Sequence, residues 1–279
     1  DSVPWAFLAY RPELLRAERP PLAALQAFHD GGAVFYQSAA TGLKVAVGCF
    51  PNGSCHHALG SDLTGTDLGL ANPSCGHFSL ALGRSPLIQG AEAGYRTGTH
   101  LGNVLLIDGH GQYGDVGYTM GVPMTHWQGQ RLQSCLLDDP AGSRGRARLN
   151  LAPAYPAHLE LLEYTRDFIF SPEKVIIRDT ITTRKPRRFS YQFQSWDSHE
   201  ITLLTPNDGT AQASWRVADA EAALEVQVHT SDHWDLTVAP TDVVWGYVNG
   251  QDGHGFHHVA VSCRVATCAM VVEFHCLPA

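Results

Sequence analysis

The 279-residue chain has no surplus of positive charge: 19 Lys and Arg face 27 Asp and Glu, for a formal net charge of −8. A surface of that sign does not track phosphates, so nucleic acid is not an expected partner. The local exception, Arg184-Lys185-Pro186-Arg187-Arg188, reads as a solvated turn between two strands. No apolar run approaches the roughly 18–20 residues of a spanning helix, and no membrane partner is expected. The opening Asp1-Ser2-Val3-Pro4-Trp5 carries neither a basic segment nor an apolar one. That is the expectation after removal of a signal peptide, or for the later part of a longer chain. No C-x-x-C pair occurs among the cysteines at 49, 55, 75, 135, 263, 268 and 276, so none of them suggests zinc or redox work. Their odd number leaves one unpaired. Cys263 and Cys268 are spaced to flank a turn and bridge across it; equally, several of the cysteines serve as small buried hydrophobes. G-x-S-x-G, P-loop and H-E-x-x-H patterns are also missing, which removes serine-hydrolase, phosphate-binding and zincin chemistry.

Helical periodicity is scarce too. Residues 11–28 hold the one helical reading, through Leu14, Leu15, Leu22, Leu25 and Phe28, and Pro20-Pro21 limits it to two short pieces. From Ala33 onward, short β-branched and aromatic runs alternate with Gly, Pro, Asn and Asp. Strands are expected near 33–38, 43–49, 77–83, 103–107, 158–170, 174–182, 188–195, 211–217, 222–229, 257–263 and 268–275. The Gly/Arg-rich stretch Ala141 to Arg148 reads as an exposed loop. This pattern fits an all-β fold, a large antiparallel β-sandwich of supersandwich type with a short helical segment near the N-terminus. A closed barrel is the alternative. Residues 1–30 form a linker with short helices, and residues 31–279 form the sandwich domain.

The most informative stretch runs from Asn72 to Gln112. It begins Asn72-Pro73-Ser74-Cys75-Gly76-His77-Phe78-Ser79-Leu80 and passes through Leu87 and Gly94-Tyr95-Arg96 to His100. It closes on Asn103-Val104-Leu105-Leu106-Ile107-Asp108-Gly109-His110-Gly111-Gln112. Physically this is a polar loop, a strand, a polar crossing, and a second strand that ends on a Gly-rich turn.

These blocks resemble the C-terminal β-sandwich of heparinase II/III-like polysaccharide lyases. The matching residues are Pro73, Phe78, Leu80, Leu87, Gly94-Tyr95, Asn103, Leu105, Leu106 and the run from Ile107 to Gln112. Gly32 to Ser38, Cys49 to Ala58, Asp167 to Phe170, Val175 to Asp179 and Tyr191 to His199 extend the resemblance over most of the chain.

The resemblance implies β-elimination on a uronic-acid-bearing polysaccharide, carried out with an α/α-toroid domain or chain as partner. It places Asn72, Tyr95 and His100 as catalytic candidates, and His56, His57, Arg96 and Asn103 as substrate contacts. His77, Glu92 and His199 are the candidates for a structural divalent metal, Zn or Mn, and no organic cofactor is expected. Asn72 and Ser74 stand where the family has His and Asp, and an amide does not shuttle a proton at neutral pH. The second reading is therefore a non-catalytic polysaccharide-binding or structural subunit that pairs with a separate toroid chain. The expected setting is periplasmic or secreted, with the cytoplasm left open. Trp127, Trp196, Trp234 and Trp245 are candidates to stack sugar rings, although large aromatics in sandwiches mostly serve the core.

Overall fold

A computed structural model describes residues 24–28, 33–48, 75–90, 98–113, 115, 131–137, 143–204, 212–230, 234–245 and 254–277. Within them two antiparallel sheets face each other. The smaller is a meander of β1 (Leu25–Phe28), β2 (Ala33–Gln37), β3 (Leu43–Gly48), β4 (His77–Leu82) and β5 (Ser85–Ile88), in that order. The larger contains β6 (Leu105–Ile107), β7 (Arg131–Leu137), β8 (Gly145–Asn150), β9 (Leu161–Phe170) and β10 (Lys174–Trp196). It is completed by β11 (Glu200–Leu203), β12 (Gln212–Ala218), β13 (Ala223–Thr230), β14 (Asp235–Trp245) and β15 (His254–Cys276). Its main path is β11-β12-β13-β15-β10-β9-β8-β7, with β14 paired to β15 and β6 paired to β10. The all-β sandwich expected from the alternating runs is what the chain forms.

Alternation explains which face is buried. Tyr164, Phe168 and Phe170 of β9 point inward, as do Val175, Ile177, Ile181, Phe189, Tyr191 and Phe193 of β10. The small sheet returns Val34, Tyr36, Val45, Val47, Phe78 and Leu80. Phe78 sits at the centre, edge-on to Phe274 at 5.6 Å and to Phe168 at 5.7 Å. Each such ring stabilises the fold by roughly 1.5–3 kcal/mol through burial.

Two charged residues occupy the apolar phase of neighbouring strands. Arg166 of β9 and Asp179 of β10 are directly opposed in register, and their side chains are 1% and 0% exposed. The guanidinium holds Asp179 through Nε at 2.9 Å and Nη2 at 2.8 Å, and donates Nη1 to the carbonyls of Gly76 at 2.7 Å and Asn103 at 3.2 Å. The rings of Phe78, Tyr164 and Tyr191 lie 5.6–5.8 Å away and receive the cation on their faces. Burial alone would lower the Arg166 pKa; Asp179 outweighs it and raises it well above the usual value.

Several local expectations are corrected. The last residues of the presumed helix, Leu25–Phe28, form strand β1, because Leu25 is taken into the core and the backbone pairs with β2. The sheet therefore starts before the expected boundary at residue 31; residues 1–23, 29 and 30 lie outside the described set. The Ala141 to Arg148 stretch is not wholly loop: from Gly145 it is β8, with Ala147 and Leu149 buried between exposed arginines. The basic run is no turn between strands but part of the single strand β10, at a register shift between Thr182 and Arg187. Cys263 and Cys268 likewise belong to one strand, β15, where both are buried and no disulfide joins them. Five extended residues span roughly 16 Å, far beyond disulfide reach. At the same shift the inward phase of β15 changes from Val259, Val261 and Cys263 to Cys268, Met270 and Val272. That phase break is why periodicity divides each long strand in two.

Replacing Asp179 with Asn should cost about 3–5 kcal/mol, because it leaves the Arg166 charge buried without a counterion. An Arg166→Leu/Asp179→Leu double variant should lose less than the sum of the single changes. Urea denaturation of the three variants measures both.

Candidate functional site

The described parts of the resembling stretch, residues 75–90 and 98–112, form a seam that joins the two sheets. Its Asp108-Gly109 pair takes φ values of 51° and 79°, and Ile107 and His110 exchange backbone hydrogen bonds at 2.9 Å in both directions. This is a two-residue hairpin whose left-handed conformation Asp-Gly tolerates best. Asp108 then accepts from Arg187 Nη1 and from the Arg188 amide, both at 2.8 Å. Beyond the turn, a side chain at Gly111 would overlap Thr99 and Asp115. Gln112 clasps Cys75, receiving its N–H at 2.8 Å and donating to its carbonyl at 2.7 Å. The D-G-x-G-Q run is thus architectural: a turn followed by an amide clasp.

Asn103 does the same across the sheets. Its Nδ2 donates to the Phe78 carbonyl at 2.7 Å, its Oδ1 accepts the Gln194 N–H at 2.6 Å, and its own N–H donates to His77 Nδ1 at 2.9 Å. The residue is 1% exposed. Expected as a substrate contact, Asn103 instead uses its polar atoms to tie β4 to β10.

His77 is half-buried at the start of β4. Because Nδ1 accepts an amide proton, the neutral ring carries its hydrogen on Nε2, 3.3 Å from Ser79 Oγ. Burial, and then the nearby Arg166 charge, push its pKa down to about 4. A histidine that binds metal through Nε2 donates Nδ1–H to an acceptor. Here Nδ1 faces a donor, so His77 does not fit the metal reading. His199 has the opposite tautomer. Ser195 Oγ donates to the Leu87 carbonyl at 2.9 Å, so His199 Nδ1 donates to Ser195 at 2.7 Å and leaves the Nε2 lone pair as the acceptor. Its pKa is lowered by burial, against Asp219 and Asp197. No group of three or more His, Cys, Asp or Glu arranged to hold a metal occurs among the described residues.

His100 lies at the rim in a 3-10 turn, Thr99–Leu101; its side chain is exposed and its carbonyl accepts Gln194 Nε2 at 2.7 Å. The structure therefore gathers His77, His100 and Asn103 around Gln194 and β10, with His199 further along the same strand end. Asn72, Tyr95, Arg96, His56, His57 and Glu92 lie outside the described residues, as does Trp127. Trp234 is core, whereas Trp196 is half-buried and stacked on Phe256. Sequence reading missed the Arg166–Asp179 pair that organises the seam. Its signal was present: a charge on the apolar phase of two strands, after Tyr164 on one and after Val175 and Ile177 on the other.

No protein-family profile and no curated protein matches the sequence. Solved structures do match the fold. Heparan sulfate lyase HepC from Pedobacter heparinus superposes with a TM-score of 0.64 at 12% identity, over 99% of this chain and 41% of HepC. A heparinase III gene product gives 0.65 at 10% identity, over 98% of this chain and 40% of its own. A further heparinase III gives 0.64 at 10%, over 93% and 37%. The chain thus shares the β-sandwich fold of these proteins and spans about two fifths of their length.

Two outcomes follow from this geometry. The unfolded chain binds a proton at His77 below pH 6.5 that the folded ring refuses until about pH 4. Stability should fall as pH drops through that window, by up to about 3 kcal/mol from this ring, and His77→Gln should flatten the dependence of the urea midpoint on pH. Asn103→Leu should cost about 2–4 kcal/mol by leaving buried partners unsatisfied, whereas a side chain that only touched substrate would leave the melting curve unchanged.

Proposed function

We propose that this chain is the β-sandwich portion of a polysaccharide lyase that cleaves uronic-acid-bearing polysaccharide by β-elimination. The observation that supports this is the likeness of nearly the whole chain to part of the heparan sulfate lyase and heparinase III structures. In such a reaction a base removes the proton beside the uronate carboxyl, a hydrogen-bond donor or cation damps the carboxylate charge, and an acid protonates the departing glycosidic oxygen. In this reading Tyr95 supplies a phenol for proton transfer, and Asn72 donates its amide to the carboxylate. His100 stands exposed at the rim. Arg96, with His56 or His57, grips the acidic sugar, since guanidinium pairs bidentately with carboxylate or sulfate. His77 and Asn103 hold the seam behind that rim. An α/α-toroid domain or chain completes the cleft, and the setting is periplasmic or secreted. No step in this reading runs through a metal.

One observation favours the second reading, that of a non-catalytic polysaccharide-binding or structural subunit. Asn72 occupies the position of the family's histidine, so this chain brings one proton carrier fewer to the cleft.

The purified chain, incubated with alginate, heparin, heparan sulfate and chondroitin, should generate an unsaturated uronate that absorbs in the ultraviolet. Tyr95→Phe should lower the rate at least about tenfold, in the range typical of a lost acid-base group. Binding to one of these polymers with no product from any of them would leave the non-catalytic reading in place.

A further inference from the structure

The outward face of the small sheet is built differently from an ordinary solvated one. Register sets its outward residues in two rows: Gln26, Phe35, Ala46 and Ser79 across β1 to β4, then Gln37, Lys44, Ala81 and Pro86 across β2 to β5. Ala46, Ser79 and Ala81 are short, so the face sinks between its taller neighbours into a groove of about 350 Å³. That lies near the lower end of the roughly 300–1,000 Å³ of ligand pockets. Phe35 walls the groove with a ring 47% exposed, and Phe28, 55% exposed, braces that ring edge-on at 5.9 Å. Alternation ordinarily gives such outward positions to polar residues.

Two polar groups of the groove are placed as donors. Lys44 Nζ donates to the Gly83 carbonyl at 2.8 Å, which fixes the ammonium at the turn end and leaves two of its N–H groups over. No carboxylate among the described residues pairs with it. At the other end Ser79 Oγ lies 3.3 Å from His77 Nε2, the nitrogen that carries the ring's hydrogen. Ser79 therefore accepts from His77, and its own O–H is left to donate. Four strand steps separate Ser79 from Gly83, on the order of 13 Å. A cation, a hydroxyl donor and an exposed ring thus share one groove, a set that complements an anion carried on a sugar. Size points the same way. Five strands about 4.8 Å apart, open over about four residues each, make a face on the order of 300 Å². A stable protein interface takes about 800 Å² from each partner.

We propose that this groove binds a disaccharide stretch of an acidic polysaccharide. The apolar face of one sugar ring packs on Phe35, and the Ser79 hydroxyl donates to a sugar oxygen beside it. Lys44 pairs with the carboxylate or sulfate, and the Gln26 and Gln37 amides line the edges toward β1 and β2. The choice of ligand rests on the polysaccharide reading above. The site itself is separate, since none of its residues belongs to the rim named there; it holds polymer beside the cleft and takes no part in bond cleavage.

The test is equilibrium binding of size-defined heparan sulfate, alginate and hyaluronan oligosaccharides to the full chain, with dextran as a neutral polymer. Lys44→Gln should weaken the anionic ligand that binds best by about tenfold and flatten its salt dependence. Phe35→Ala should weaken it by a similar factor at low and high salt alike. Ala46→Tyr fills the groove and should abolish binding, whereas Arg178→Gln, exposed on the large sheet, should leave it unaltered. Lys44 is exposed, so its variant keeps the thermal midpoint and reads the site even if Ala46→Tyr lowers it. Binding lost in all three groove variants carries the assignment, whether or not the chain forms product. If the chain binds an anionic oligosaccharide and Lys44→Gln and Ala46→Tyr bind it equally, the groove is wrong while the polysaccharide reading stands. If the unmodified chain binds none of them, the groove falls and product formation alone decides the lyase reading. A dimer in sedimentation that Ala46→Tyr dissolves would make the face an interface between copies and overturn the assignment.

Discussion

One buried ion pair sets the geometry on which the rest of the molecule depends. Arg166 and Asp179 sit opposite each other on adjacent strands, where alternation alone would place two apolar residues. A buried pair seldom adds net stability over a hydrophobic one, but it is demanding about position. Here its remaining donors reach out of the pair to Gly76 and Asn103. Through those two carbonyls the large sheet fixes where the stretch from Cys75 to Gln112 must lie. Burial, reinforced by the charge that orders the seam, keeps His77 neutral, which lets that ring accept the Asn103 amide. Fold and rim are therefore coupled electrostatically as well as by packing.

The residues that made this stretch conspicuous turn out to work mainly on the backbone. Asp108 and Gly109 make the turn, Gln112 clasps Cys75, and Asn103 links β4 to β10. Such side chains are as constrained as catalytic ones, because each meets a specific donor or acceptor in a space closed to water. What they position is the rim on which the exposed His100 stands.

Much of the fold was legible in the sequence because its signal is local. The inward residues of β9, β12 and β13 alternate cleanly, and those strands lie close to where alternation puts them. Where the reading failed, a non-local term had decided. β1 is short and takes its identity from pairing with β2, which no helical or strand period within it reveals. β8 carries arginine at both of its exposed positions, so composition resembles a loop although Ala147 and Leu149 are buried. β10 and β15 each contain an irregularity that only their pairing shows. The roles of Asn103 and His77 were illegible for the same reason: residue type named the chemistry each can perform, and the tertiary partner decided which of it is used.

The two 23-residue strands carry a consequence for how this protein comes into being. β10 is framed on one side by β9 and β6 and on the other by β15, and β15 in turn carries β13 and β14. A ribosome must therefore deliver the chain through Cys276 before the centre of the large sheet can close. Until then β10 presents a long open edge to its surroundings, the kind of template on which another nascent chain can add. Pairings this distant along the chain also close slowly. Folding of this sandwich should accordingly lean on whatever shields that edge in the interval, and a halt before β15 would strand the product in its most adhesive form.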